Sequence, residues 1–553
     1  MIPVLVVSLY LAVIAVIGSI AFRKSQANTE DFFLANRAVG SMVFFLSIFA
    51  TNMTAFAILG SSGQAYRQGI GIYGLMASSS GFVIPLTIFF IGTRLWAIGK
   101  RFGHQTQVAF FRDRWECNAI GTVIFVLSVT MLVPYMIISI MGGGTVLSEI
   151  STVSGPDGKP LMQEVIKHGQ KVLEAKHLIA YPIGAAIVAL VVTMNVFLGG
   201  MRGTVWVNIF QTTLFLLFGA IAVAVISHHL PRSFGDYIQG IATNPKTSFL
   251  VTRERMPERY FWSYTLIPLS SIMFPHMAIM CFAARHVTAF KRTVILYPLA
   301  ILAIWLPCVF LGVLGSQLVP GLPKPDGVLL RLLTQYAPAW LAGILGAGII
   351  SAVMGSDTHQ VLAVSTMFTK DVFAHYGGKE KYGERGSVAF ARGFIVAVTV
   401  IAYLIALVTP ESIFELAVRF AFSGFAAMAP VMIAALFWKR STKYGALAST
   451  LWVAAWLVLT WYLQKISDGA APKPGQPPLS IFPALGHLFE RTTANVTILG
   501  FLPVVPMVLG SALWMILVSL MTPPPSRETI QKYFPRRGSE DHTLEGAAAE
   551  NLF

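Results

Sequence analysis

The chain of 553 residues is 55% hydrophobic and 12% charged, with a mean hydropathy of +0.68, which excludes an ordinary water-soluble globule and describes a protein whose solvent is mostly lipid. A net charge of +15 does not make it a nucleic-acid binder, because the Lys and Arg residues lie in short runs beside apolar spans and form no basic domain. Cys117, Cys281 and Cys308 are too widely separated for a disulfide framework or a zinc spacing. No Gly-rich phosphate loop, nucleophile arrangement or metal-hydrolase spacing points to an enzyme or to a nucleotide energy source.

In chain order the apolar stretches fall near 2–22, 40–62, 71–98, 118–148, 178–199, 203–227, 261–284, 293–317, 334–369, 388–408, 412–436, 443–463 and 497–521. Each is long enough for a hydrocarbon core of ~30 Å, so thirteen transmembrane helices are expected, in an all-α membrane domain over 1–522 with a short polar tail over 523–553. The first stretch lacks the basic start of a signal peptide and runs directly into Arg23 and Lys24, so it reads as a retained helix. Basic residues favour one set of connections, among them Arg37, Lys100, Arg101, Arg112, Arg114, Arg285, Lys291, Lys370, Lys439, Arg440 and the tail's Arg527, Lys532, Arg536 and Arg537. Short loops of the other set carry only Arg67, Lys324 and Arg331, which predicts an outside N-terminus and a cytoplasmic C-terminus. Three longer loops, 149–177, 228–260 and 464–496, then lie outside. A multi-pass protein of the plasma membrane is implied, which is the inner membrane if the source is bacterial.

Two spans are interrupted. Ala50-Thr51-Asn52-Met53-Thr54 breaks the stretch at 40–62, and Pro268 with Phe274-Pro275-His276 breaks the stretch at 261–284. With the first helix set aside these are numbers one and six, the paired broken helices of an inverted-repeat transporter whose site lies at mid-membrane. The third polar feature is Gly346 to Thr369, where Asp357, Thr358, His359 and Gln360 follow a run of small residues. A carboxylate and an imidazole in mid-span are expensive in hydrocarbon and normally face a protein interior or a solute path. Asp357 has three readings: ion ligand or proton acceptor, partner of His359, or a group facing a solvated path. Arg419 reads as an i,i+4 partner of Glu415.

Four stretches resemble the sodium:solute symporters. Gly199-Gly200-Met201-Arg202-Gly203-Thr204-Val205-Trp206-Val207-Asn208-Ile209-Phe210-Gln211 is similar to that family's fifth core helix, and Leu436-Phe437-Trp438-Lys439-Arg440 through Ala446 to its turn after the tenth. Ala50 to Thr54 resembles the first core helix, and Ser351 to Thr369 the eighth. The resemblance implies a leucine-transporter-type fold with a 5+5 inverted repeat over about 40–228 and 261–436, one extra helix before it and two after, working by alternating access. It also implies a sodium site formed by carbonyls of Ala50, Met53 and Ala352 and the hydroxyl of Ser356, with Asp357 as a possible addition. The family usually has a second hydroxyl where this chain has Gly355, and an aspartate of a second sodium site is here Asn208, so one coupling Na+ is expected. Hard oxygen ligands suit such a cation.

Solute contacts are expected from Asn52, Thr54 and Phe56 on the first broken helix, Ser271, Phe274 and His276 on the sixth, and Gln360 on the eighth, a mixture suited to a small, partly apolar solute. Phe274-Pro275-His276 resembles the pantothenate and monocarboxylate branch, which favours an organic anion. The alternatives are the same fold coupled to protons through Asp357 and His359, an uncoupled carrier, or a channel or sensor module.

Overall fold

The computed structural model describes residues 2–23, 29–153, 155, 161–167, 170–322, 324–409, 412–472, 476–493 and 495–535; Lys24, Arg536 and Arg537, used above for orientation, lie outside them. Helix α1 (Ile2–Arg23) is followed by α2 (Ser41–Asn52), α3 (Phe56–Gln68) and α4 (Gly71–Phe102). A short helix, α5 (Gln107–Arg114), precedes α6 (Asn118–Ile150) and α7 (Tyr181–His229). The second half holds α8 (Glu258–Met273), α9 (Pro275–Ala283), α10 (Thr288–Leu318), α11 (Ala339–Ala374), α12 (Gly378–Val408) and α13 (Ile413–Phe437). Then come α14 (Lys443–Ser467), α15 (Val504–Met521) and the short α16 (Arg527–Tyr533).

By length and apolarity ten helices can cross a membrane, or twelve when α2 with α3 and α8 with α9 are each counted as one bent span. The expected count of thirteen differs at 178–227, where two stretches form the single 49-residue α7. At ~1.5 Å per residue α7 is far longer than one hydrocarbon core. It turns in its middle at Gly200, whose φ of 52° and ψ of −146° are open to glycine and not to side-chain-bearing residues. Its helices abut there without a loop, which is why hydropathy sees two segments and hydrogen bonding sees one.

The two bends have separate chemical causes. In the first, α2 stops at Asn52, Met53 is extended (φ −92°, ψ 101°), and Thr54 restarts the chain by accepting the amide of Phe56 on its Oγ1 at 3.0 Å. The angle between α2 and α3 is 59°. In the second, Phe274 is extended at ψ 127° and Pro275 opens α9 from the first helical position, where its missing N–H costs nothing. The angle between α8 and α9 is 49°.

Helix α11 is the axis of the molecule. Every residue from Leu345 to Met367 is buried, and α11 packs against α7, α6 and α1. Small residues permit this: a Cβ on Gly346 would lie 2.1 Å from Ile150, and one on Gly142 of α6 would lie 2.5 Å from the Ala55 side chain. Around this centre the exterior is apolar, with Leu5, Phe82, Phe90, Leu190, Leu299, Leu404 and Leu509 all exposed, as a lipid-facing surface requires. The three longer loops carry structure: an antiparallel hairpin of β1 (Met162–Lys167) and β2 (Gln170–Ala175), a helix at Phe234–Thr243, and a sheet of β3 (Leu479–Ser480), β4 (Phe489–Arg491) and β5 (Val496–Ile498).

Candidate functional site

Where α2 ends, the carbonyls of its last turn lose the amides that a continuing helix would supply. Thr51 offers its carbonyl to the hydroxyl of Ser356 on α11 at 2.9 Å, which joins the broken first helix to the central one at full burial. Ser356 in turn accepts from Gln360 Nε2 at 2.6 Å. Ala50, Met53 and Ala352 are all buried beside this contact.

The next residue, Asn52, points elsewhere. Its amide nitrogen donates to the Tyr297 hydroxyl of α10 at 2.6 Å, and its oxygen accepts from Ser271 of α8 at 3.1 Å. The two interrupted spans therefore meet through side chains directly, with α10 as a third partner. Asn52 keeps some exposure whereas its neighbours are sealed.

Aromatic rings form the adjoining wall. Phe274 stacks on His276 with ring centres 5.1 Å apart and 13° between planes, and Tyr135 of α6 approaches the same two rings at 5.0 and 5.8 Å. Phe422 of α13 touches Tyr135 at 5.3 Å and Phe56 of α3 at 4.8 Å, while Phe56 also stacks on Phe414 at 5.0 Å. Thus α3, α6, α9 and α13 contribute to one ring cluster, and Tyr135 lies beside Thr54 and Ser356. Both ring nitrogens of His276 are buried with no hydrogen-bond partner among the described residues.

On α11 the polar cluster splits by direction. His359 faces α7, its Nδ1 2.9 Å from the Asn208 amide nitrogen and 3.2 Å from the Gly355 carbonyl. Thr358 donates to that same carbonyl at 3.0 Å. Asp357 is wholly buried, and neither carboxylate oxygen has a hydrogen-bond partner among the described residues. No contact joins Asp357 to His359 among the described residues, because residues two apart on a helix point to different sides. Arg67 of α3 approaches Glu415 to 3.6 Å, so the carboxylate expected to partner Arg419 ties α3 to α13.

A model of the sodium:solute symporter family matches residues 32–154 and 163–452. The chain belongs to that family. It is 23% identical over 457 residues to the sodium/pantothenate symporter of Escherichia coli, covering 80% of this chain and 87% of the relative. It is likewise 23% identical over 474 residues to a sodium/proline symporter of Staphylococcus aureus, covering 83% and 85%. Among solved structures it is similar to a Na+-coupled sialic acid symporter in a substrate-bound outward-open state, with a TM-score of 0.69 at 15% identity over 95% of this chain and 99% of the other. This symporter is therefore a multi-pass membrane transport protein with the fold of that structure.

The residues present suit a small hard cation in their chemistry. Backbone oxygens freed at a helix end, a hydroxyl from the facing helix and a fully buried carboxylate are the donor types such an ion takes. Three residues of the candidate site were not singled out by sequence reasoning: Tyr135, Tyr297 and Phe422. Tyr135 had a signal, a hydroxyl-bearing ring after Pro134 within an apolar span. Tyr297, beside Pro298 in an apolar span, had the same signal, and Phe422 had none, since an aromatic residue in a membrane helix is ordinarily lipid-facing or core.

Proposed function

We propose that this symporter carries out secondary active uptake of a small organic solute, an organic anion by preference, driven by one sodium ion. The observation that carries the reading is the meeting of the Ser356 hydroxyl with the Thr51 carbonyl at the break of α2. A hydroxyl and a carbonyl from two helices, buried in mid-membrane and within 2.9 Å of one another, form the start of an oxygen cage for Na+. Ala50, Met53 and Ala352 supply further carbonyls, and Asp357 supplies charge. In this reading α7 counts as two spans divided at Gly200, which gives thirteen helices, a 5+5 inverted repeat, an outside N-terminus and a cytoplasmic C-terminus.

The anion preference rests on His276. Its two nitrogens, without a hydrogen-bond partner among the described residues, border the aromatic wall of Phe274, Tyr135 and Phe422, with Asn52 and Ser271 across the break, and one of them can donate to a carboxylate while the rings cover an apolar body. A second reading is favoured by Asp357, whose buried unpartnered carboxylate suits proton coupling on the same fold. Tracer uptake into proteoliposomes, with sodium and pH gradients imposed separately, decides between them. Uptake that follows the sodium gradient, and a half-saturating sodium concentration raised about tenfold by Ser356→Ala through loss of one hydroxyl oxygen, are the expected results. Uptake that ignores sodium and follows the pH gradient sinks the sodium reading.

A further inference from the structure

Gly355 brings no side chain to the fully buried face of α11, and the surroundings of that position hold oxygen from another helix. A Cβ built on Gly355 would lie 3.3 Å from Gln211 Oε1 and 3.4 Å from Asn208 Oδ1, both from α7, with the Ala50 side chain at 3.6 Å. Both amide oxygens are buried, and neither has a hydrogen-bond partner among the described residues. Two carbonyl dipoles turned with their negative ends toward one buried point repel each other and leave their lone pairs unmet, which is costly unless a positive group comes between them.

Their orientation is set by neighbours. Gln211 Nε2 is 3.0 Å from the Tyr10 hydroxyl of α1, and Tyr10 is 2.9 Å from Ser351 Oγ. Ser351 Oγ also lies 2.8 Å from the Ala347 carbonyl. The Tyr10 hydroxyl oxygen accepts from Ser351 Oγ and from Gln211 Nε2, so the NH2 end of Gln211 is the end turned toward α1. The oxygen of Gln211 is thereby turned toward Gly355. Asn208 is fixed similarly, with its nitrogen toward the Gly355 carbonyl at 3.4 Å and His359 Nδ1 at 2.9 Å.

We infer that the Gln211 side-chain oxygen, held in place by Tyr10 and seconded by that of Asn208, supplies to the coupling cation the ligand that Gly355 cannot. The inference rests on the sodium reading above and deepens it. It makes α1, outside the inverted repeat, a positioning element for the ion site, and it moves one ligand from the central helix to α7. Neutral amide oxygens are ordinary ligands of hard cations.

Equilibrium binding of 22Na+ to purified protein in detergent, without solute, tests it separately from transport. Wild type is expected to bind Na+ saturably, Gln211→Ala about tenfold more weakly, and Gln211→Ala with Gly355→Ser to within about threefold of wild type, since the serine restores a hydroxyl where the glutamine has made room. Saturable binding that Gln211→Ala leaves unchanged, or a loss that Gly355→Ser does not rescue, overturns the ligand assignment while leaving the sodium reading intact. Absence of saturable binding in wild type overturns both. Should Gln211→Ala fail to give monodisperse protein, Tyr10→Phe, which removes the hydroxyl that accepts from Gln211 and Ser351 and leaves Gln211 itself in place, is expected to weaken binding severalfold, and unchanged affinity there overturns the inference.

Discussion

Asp357 is the residue whose placement is hardest to explain by packing alone. A carboxylate with both oxygens buried and unpartnered among the described residues destabilises the fold that contains it, so its retention points to work done in transport. Asp357→Asn should therefore raise the melting temperature of the sodium-free protein in detergent, reflecting ~1–3 kcal/mol of relieved desolvation, while lowering uptake. A variant that is less stable and transports normally would make Asp357 structural. The polar quartet 357–360 was legible in the sequence because hydrocarbon makes polar residues conspicuous. What each member touches was not, since a ~100° step per residue sends Ser356 to α2 and His359 to α7, and only the packed neighbours settle which face is which.

Among elements, α16 shows how a segment too short and polar for a span is held. Ser526 caps it, Lys532 reaches both oxygens of Asp113 at 2.7 Å, Tyr533 donates to Asp113, and Thr529 donates to Glu116. Arg114, fully buried, donates to Ala435 and Ser441 while Tyr533 and Phe534 cover its guanidinium, so α5 and α16 lock together over the C-terminal end of α13. Burial opposes the Asp113 charge, but the hydrogen bonds from Lys532 and Tyr533 outweigh it and hold the carboxyl below its ordinary value. Burial holds His104, 3.2 Å from Asp113, below the ordinary imidazole value, so at neutral pH this contact is a hydrogen bond between a neutral ring and an anion. A depressed carboxyl contributes its stabilisation in full above the unfolded value near ~3.9 and loses it as pH falls through the folded value. Asp113 therefore adds no pH dependence between about 5 and 8, but His104, which docking keeps neutral, binds a proton more readily when released, so the docking is expected to weaken as pH falls below about 6.5. Asp113→Asn should make the 523–535 segment a cleavage site in limited proteolysis at pH 7, where the parent resists; equal resistance would mean that the ring contacts alone suffice.

At the scale of the whole molecule, the interrupted spans were readable because Pro275 and the polar run at 50–54 break hydropathy and helix chemistry at once. Hydropathy reads 178–227 as two stretches where hydrogen bonding reads one long element, because Gly199-Gly200 interrupts hydropathy and bends the helix without a loop. Phe422 shows the limit of local reasoning: it joins the ring cluster from a helix on which nothing local distinguishes it, and only the packing against Tyr135 and Phe56 from other helices reveals it.

The bend at Gly200 also has a mechanical consequence. The 181–199 and 201–229 arms of α7 change direction at Gly200, and that residue is pressed against a carbonyl, since a methyl there would come within 2.6 Å of the Phe32 oxygen. Gly200→Ala meets both that clash and a forbidden backbone angle, so any change of the bend during transport is expected to become costlier, with no solute-contacting side chain altered. The expected signature is a turnover several times slower at an unaltered half-saturating solute concentration, with spin labels on the two arms keeping one separation under conditions where the parent protein shows two.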